Sequence, residues 1–126
     1  MVEMIKISAA LLGFTAVLLG AFGAHRLKNI WAPETLLSFE TGVRYQMYHA
    51  LVLLLLGFLG GFEEPAMRLS AWCFLSGTIL FSFSIYLLCL ASYKRRKFKV
   101  LGPLTPLGGL LLLCGWALLL YHFLSF

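Results

Sequence analysis

A chain of 126 residues in which 61% of side chains are hydrophobic and only 12% are charged lies far from the balance of an ordinary water-soluble domain. It has room for a single domain, residues 1–126, held in a bilayer, and almost none for a separate soluble module. The formal net charge of +5 comes from ten basic and five acidic residues, and its meaning lies in where along the chain they fall.

Four apolar runs stand out, at residues 5–24, 43–61, 67–92 and 105–124. Each is close to the ~20 residues that cross a hydrocarbon core at about 1.5 Å per residue. They predict an all-α, polytopic membrane protein with four transmembrane helices in an antiparallel bundle. The runs lack the alternation of a β-barrel strand. A cleaved signal peptide is the rival reading of the first run, since Lys6 precedes it and residues 21–24, AFGA, resemble a cleavage site. The run exceeds the usual ~7–15-residue signal core, which favours a spanning helix.

In the first run Ala9, Gly13, Ala16, Gly20 and Gly23 are spaced four, three, four and three apart. This seam lets another backbone approach closely in a solvent that supplies no hydrophobic drive. Gly57, Gly60 and Gly61 in the second run, and Gly108, Gly109 and Gly115 in the fourth, are candidates for the opposing surfaces. Between the first two runs, residues 32–44, APETLLSFETGVR, place Pro33 at a helix start, Leu36, Phe39 and Val43 at helical spacing, and Glu40 four residues before Arg44. Either Gly42 is a hinge between a surface helix and the span, or the whole stretch is one long helix. Trp31, Tyr45, Tyr48 and Tyr93 are expected at one membrane interface, and Trp72, Tyr121 and Phe126 at the other.

The basic residues divide unevenly. Arg26, Lys28 and Arg44 bracket the first loop, and Lys94, Arg95, Arg96, Lys97 and Lys99 fill the third, so eight of ten share one side against Lys6 and Arg68. By the positive-inside rule, loops one and three are cytoplasmic and both termini outside, in a cell membrane, the inner one if the source is bacterial. The run KRRKFK then reads as an attraction for anionic headgroups and not as a nucleic-acid site, because no reading module surrounds it. Cys73, Cys89 and Cys114 all fall within spans and form no CxxC pair, so small packing residues without an intrachain disulfide are expected. There is no Asp, no P-loop and no GxSxG, and the five glutamates lie outside the spans. No metal or cofactor site and no enzymatic activity are predicted.

On this topology the unusual polar residues gather in the cytoplasmic half. His25 ends the first helix; Gln46 and His49 lie in the first turns of the second, the latter roughly 8 Å past Arg44. Tyr86 lies about 12 Å before Lys94 by the same rise, with Ser84 and Ser82 deeper. Thr105 opens the fourth run, where TPLGG reads as a helix start. Intramembrane polar groups are costly unless paired, so their convergence predicts either a structural network or a ligand site. For His49 the alternatives are an interhelical hydrogen bond, to Tyr86 or Ser84, and a ligand, proton or cofactor role. His25 has a simpler alternative in capping its helix C-terminus. Ser76, Ser82 and Ser84 are expected to bond their own helix backbone.

The stretches GAFGAHRL, FETGVRYQMYHAL, SGTILFSFSIYLLCL and LTPLGGLLLLCGW, in this order, resemble the YgdD/YwdK-like family of small membrane proteins over nearly the entire chain. The resemblance implies a four-helix membrane protein of unknown function with relatives from bacteria to animals, and no catalytic assignment to carry over. Three functions compete. The first is a non-enzymatic binding or accessory protein acting with a second copy or a larger membrane complex. The others are an oligomeric transporter of a small solute or proton, and haem or quinone binding through His25 and His49.

Overall fold

A computed structural model describes residues 1–95 and 101–125. Proline begins two of its spans and glycine ends one. Helix α1 covers Val2–His25 and is followed by a single 3-10 turn at Leu27–Asn29. Helix α2, Pro33–Leu59, starts with Pro33 at a first-turn position, where a missing N–H breaks no helix bond. It runs unbroken through Gly42, so the one-long-helix alternative holds, and the helix that carries the second apolar run starts ten residues before it, at Pro33. It stops where Gly60 and Gly61 take positive φ of 70° and 77°. These two glycines therefore make a turn and not a packing surface: a Cβ at either would meet nothing within 4 Å.

The third span is not one uniform helix. Helix α3, Pro65–Thr78, passes through a five-residue π-helical segment, Ile79–Phe83, into α4, Ser84–Tyr93. Helix α5, Leu101–Ser125, begins ahead of TPLGG, so Pro106 lies inside the helix and not at its start. The four spans hold 28, 27, 29 and 25 residues. At 1.5 Å per residue that is roughly 38 to 44 Å, enough for the hydrocarbon core and the headgroup layers. Arg96, Lys97 and Lys99 of the basic run, and Phe126 of the expected outer belt, lie outside the described residues.

Small residues decide which helices meet. The α1 seam packs on α2: a Cβ at Gly23 would come within 2.8 Å of the Phe39 ring, at Gly20 within 3.4 Å of Val43, and at Gly13 within 4.0 Å of Ala50. Ala9 and Ala16 are buried along the same line, while Gly57 of α2 makes room for Lys6. Positions rising along α1 meet positions falling along α2, which is antiparallel packing. A second such contact joins α3 to α5. Gly77 lies against the Gly108 carbonyl oxygen, and a Cβ at Gly115 would meet the Phe74 ring at 2.8 Å. Helix α2 and the α3–π–α4 span hold the middle, and α1 and α5 flank them.

The outer surface is apolar, with Leu11, Phe14, Leu110 and Leu113 among its exposed side chains, as a lipid-facing surface requires. Arg44 donates to Thr41 Oγ1 at 3.3 Å, and no Glu40 to Arg44 ion pair forms among the described residues. All three cysteines are free.

Candidate functional site

Gln46 is fully buried on α2 in the middle of the bundle. A carboxamide there has two donors and an acceptor to satisfy, and an unpaired group in hydrocarbon costs several kcal/mol. All are met by other helices. Its Nε2 donates to Leu12 O at 2.8 Å and Thr15 Oγ1 at 2.7 Å on α1, and its Oε1 accepts from Tyr86 OH of α4 at 2.6 Å. Thr15 Oγ1 in turn donates to Leu11 O at 2.9 Å. One side chain thus ties three helices. Thr15 escaped the sequence reading because a lone threonine in an apolar run looks like a back-bonded residue, which it also is.

Two further polar ties flank it. Ser82, in the π segment, donates across to Gly42 O of α2 at 2.7 Å, where sequence reasoning expected a bond to its own helix. Ser84 does bond its own helix, at Phe81 O, 3.0 Å. With its one proton so used, it accepts from Thr105 Oγ1 of α5 at 2.6 Å. Gly42 also makes room for α4: a Cβ there would lie 2.8 Å from the Tyr86 ring and 3.3 Å from Ile85. Ser76 alone follows the expectation fully, donating to Trp72 O at 2.7 Å.

His49 is buried but bonds neither Tyr86 nor Ser84. Its Nδ1 lies 2.8 Å from Tyr45 O, a carbonyl that only accepts, so Nδ1 carries the proton. Its Nε2 receives the Trp116 Nε1–H, a donor only, at 3.3 Å. Both ring nitrogens of a neutral imidazole are committed, one to its own helix and one to α5. The ring also packs on Phe74 at 5.6 Å between centroids. Tyr86 instead packs on Gly42 and on Phe39, 5.2 Å away, about two helical turns before His49 on α2. The single cluster expected from sequence is therefore three separate ties: Gln46 with Tyr86 and Thr15, Ser84 with Thr105, and His49 with Trp116. His25 joins neither; it is exposed at the end of α1. Among the described residues no group of three His, Cys, Asp or Glu is placed to hold a metal ion.

Beside this internally satisfied core lies an open cleft of ≈ 390 Å³ at one end of the bundle. Helix α2 contributes Thr35, Ser38 and Thr41 to it, α4 contributes Ile85, Leu88 and Ser92, and α5 contributes Thr105, with Glu34 at the α2 start. Thr41 bonds Leu37 O at 3.1 Å, and Thr105 is held by Ser84. The hydroxyls of Thr35, Ser38 and Ser92 make no hydrogen bond to another described residue. None of these was singled out from sequence. The signal that was present is the repeat of hydroxyl residues at 35, 38 and 41 on a helix otherwise read for its apolar face.

A family model described as a protein of unknown function, DUF423, matches residues 19–109. A UPF0382 membrane protein of Staphylococcus aureus is 40% identical over 114 residues, 90% of this chain and 89% of its own length. Another from Schizosaccharomyces pombe is 40% identical over 116 residues, 89% of this chain and 94% of its own. The UPF0382 membrane protein YwdK of Bacillus subtilis is 36% identical over 115 residues, covering 90% of this chain and 89% of the relative. No solved structure matches.

Proposed function

This chain belongs to the DUF423 family of membrane proteins of unknown function, and on that premise we propose that it is a non-enzymatic binding or accessory protein. The observation that carries the reading is the contrast between two polar sets. The buried polar groups of Gln46, Tyr86, Ser82, Ser84 and His49 all end in protein hydrogen bonds, as structural fasteners do. In the lateral cleft the hydroxyls of Thr35, Ser38 and Ser92 bond no other described residue, and they line an opening where a ligand reaches them. The same contrast favours binding over transport, because side chains consumed in fixed interhelical bonds line no polar path. It also speaks against haem ligation by His49, whose Nε2 already accepts from Trp116.

In this reading both termini lie outside and loops one and three face the cytoplasm, supported by the eight-to-two division of basic residues. The basic third loop then meets anionic headgroups, and the accessory role is exercised beside a second copy or a larger complex. The test is native mass spectrometry of the protein released from mild detergent. A bound small molecule or lipid should survive on the wild type and be lost from Ser38→Trp, which fills the cleft, while Phe14→Trp on the lipid-facing side of α1 retains it. Equal retention by all three proteins would reject the cleft as the binding place.

A further inference from the structure

Glu34 stands at the N-terminal end of α2, and a 27-residue helix reaches from one headgroup layer into the other, so this carboxylate lies at headgroup depth. The cleft below it changes character along α4. Ser92 is at the mouth, and Leu88 and Ile85 follow one and two turns further into the bilayer. Past the end of α4, exposed Lys94 and Arg95 follow Ser92 by two and three residues. The lining thus carries one charged group, the Glu34 carboxylate, beside the hydroxyls of Thr35, Ser38 and Ser92, which bond no other described residue, above an apolar base, and two basic residues follow Ser92 in the chain.

Resting on the binding reading above, we propose that the cleft is a site for a phospholipid whose headgroup carries both a primary ammonium and a phosphate. The ammonium has three N–H donors, which suit the Glu34 carboxylate and the Thr35 and Ser38 hydroxyls. The phosphate takes the Ser92 hydroxyl as its donor, with the basic side chains of Lys94 and Arg95 two and three residues further along the chain, and the upper acyl chain lies on Leu88 and Ile85. A headgroup with only negative charge leaves Glu34 opposed to it. A quaternary ammonium has the charge but no N–H to donate. The apolar groove on the α1 side, lined by Leu19, Phe22, Trp31 and Tyr93 among others, has no carboxylate to receive an ammonium.

The experiment is competition for the delipidated protein among phosphatidylethanolamine, phosphatidylcholine and phosphatidylglycerol of matched acyl chains, read by native mass spectrometry. The ethanolamine lipid should be retained about two- to fivefold over either competitor, the effect of one charged contact at an exposed site. Glu34→Gln should bring it level with phosphatidylcholine without changing thermal stability in detergent. Glu34→Asp, which keeps the charge, should preserve the preference. Equal retention of the three lipids, preference for phosphatidylglycerol, or an unchanged preference in Glu34→Gln overturns the proposal. If lipid of any headgroup is bound by the wild type and lost from Ser38→Trp, only the headgroup assignment fails. If Ser38→Trp binds as the wild type does, the cleft reading fails with it. Ser38→Ala, which should retain lipid, separates cleft blockage from misfolding.

Discussion

Gly108 of α5 lies directly against the backbone of Phe81, in the π segment of the third span: a Cβ at 108 would stand 2.8 Å from Phe81 Cα and closer still to its nitrogen. Neither partner is a flexible side-chain end, so a methyl group forces backbone to move. One residue along, Gly109 has its nearest neighbour at 3.8 Å, an ordinary contact.

Gly108→Ala should therefore destabilise the fold by about 1–3 kcal/mol, the usual cost of overpacking, measured by thermal or denaturant unfolding in detergent. Gly109→Ala should be neutral or slightly stabilising, since alanine is the better helix former. The opposite order would remove close packing as the reason for glycine at 108.

The α1 seam should respond by degrees. Gly13→Ala adds a methyl to a 4.0 Å gap and should be silent. Gly23→Ala presses on the Phe39 ring, which is itself braced by Trp31 at 5.5 Å and Tyr86 at 5.2 Å, so the displacement cannot stop at one side chain. Lower thermal stability is expected for Gly23→Ala, and Gly20→Leu should disrupt the α1–α2 pair outright.

Gln46 and Tyr86 form a measurable couple. Tyr86→Phe removes one bond, and Gln46→Leu removes the ties to both α1 and α4. A double-mutant cycle should give a coupling of about 0.6 kcal/mol, the average for hydrogen bonds between membrane helices, and no more than about 1.7 kcal/mol. Gln46→Leu alone should cost more than Tyr86→Phe, and additivity of the two would show that the 2.6 Å contact carries no energy.

His49 should be neutral with its proton on Nδ1, as its two partners require. Nitrogen-15 chemical shifts of the labelled ring read this directly. Trp116→Phe keeps the aromatic packing on Phe74 while removing the donor to Nε2, and should shift that nitrogen selectively. A proton found on Nε2 in the wild type would contradict the Trp116 bond.

The orientation has its own test: a reporter active only in the cytoplasm, fused after residue 126, should be silent.

Four membrane-spanning helices were written in composition and hydropathy, because the bilayer imposes one length and one polarity on any segment that crosses it. That Ala9, Gly13, Ala16, Gly20 and Gly23 share one face of α1 was written in their spacing, since positions three and four apart lie together on a helix whatever lies opposite. The partners were not. Whether Gln46 meets Tyr86 or His49 does depends on the rotation of each helix about its axis, which hydropathy leaves free. Here that rotation is fixed by Gly42, Gly77 and Gly108 letting backbones approach, and by the π segment, which resets the facing of Ser84 and Tyr86 relative to α3. The cleft is likewise a tertiary product. Thr35, Ser38 and Ser92 are unremarkable on their own helices, and only the assembly of α2, α4 and α5 places them around one opening with Thr105.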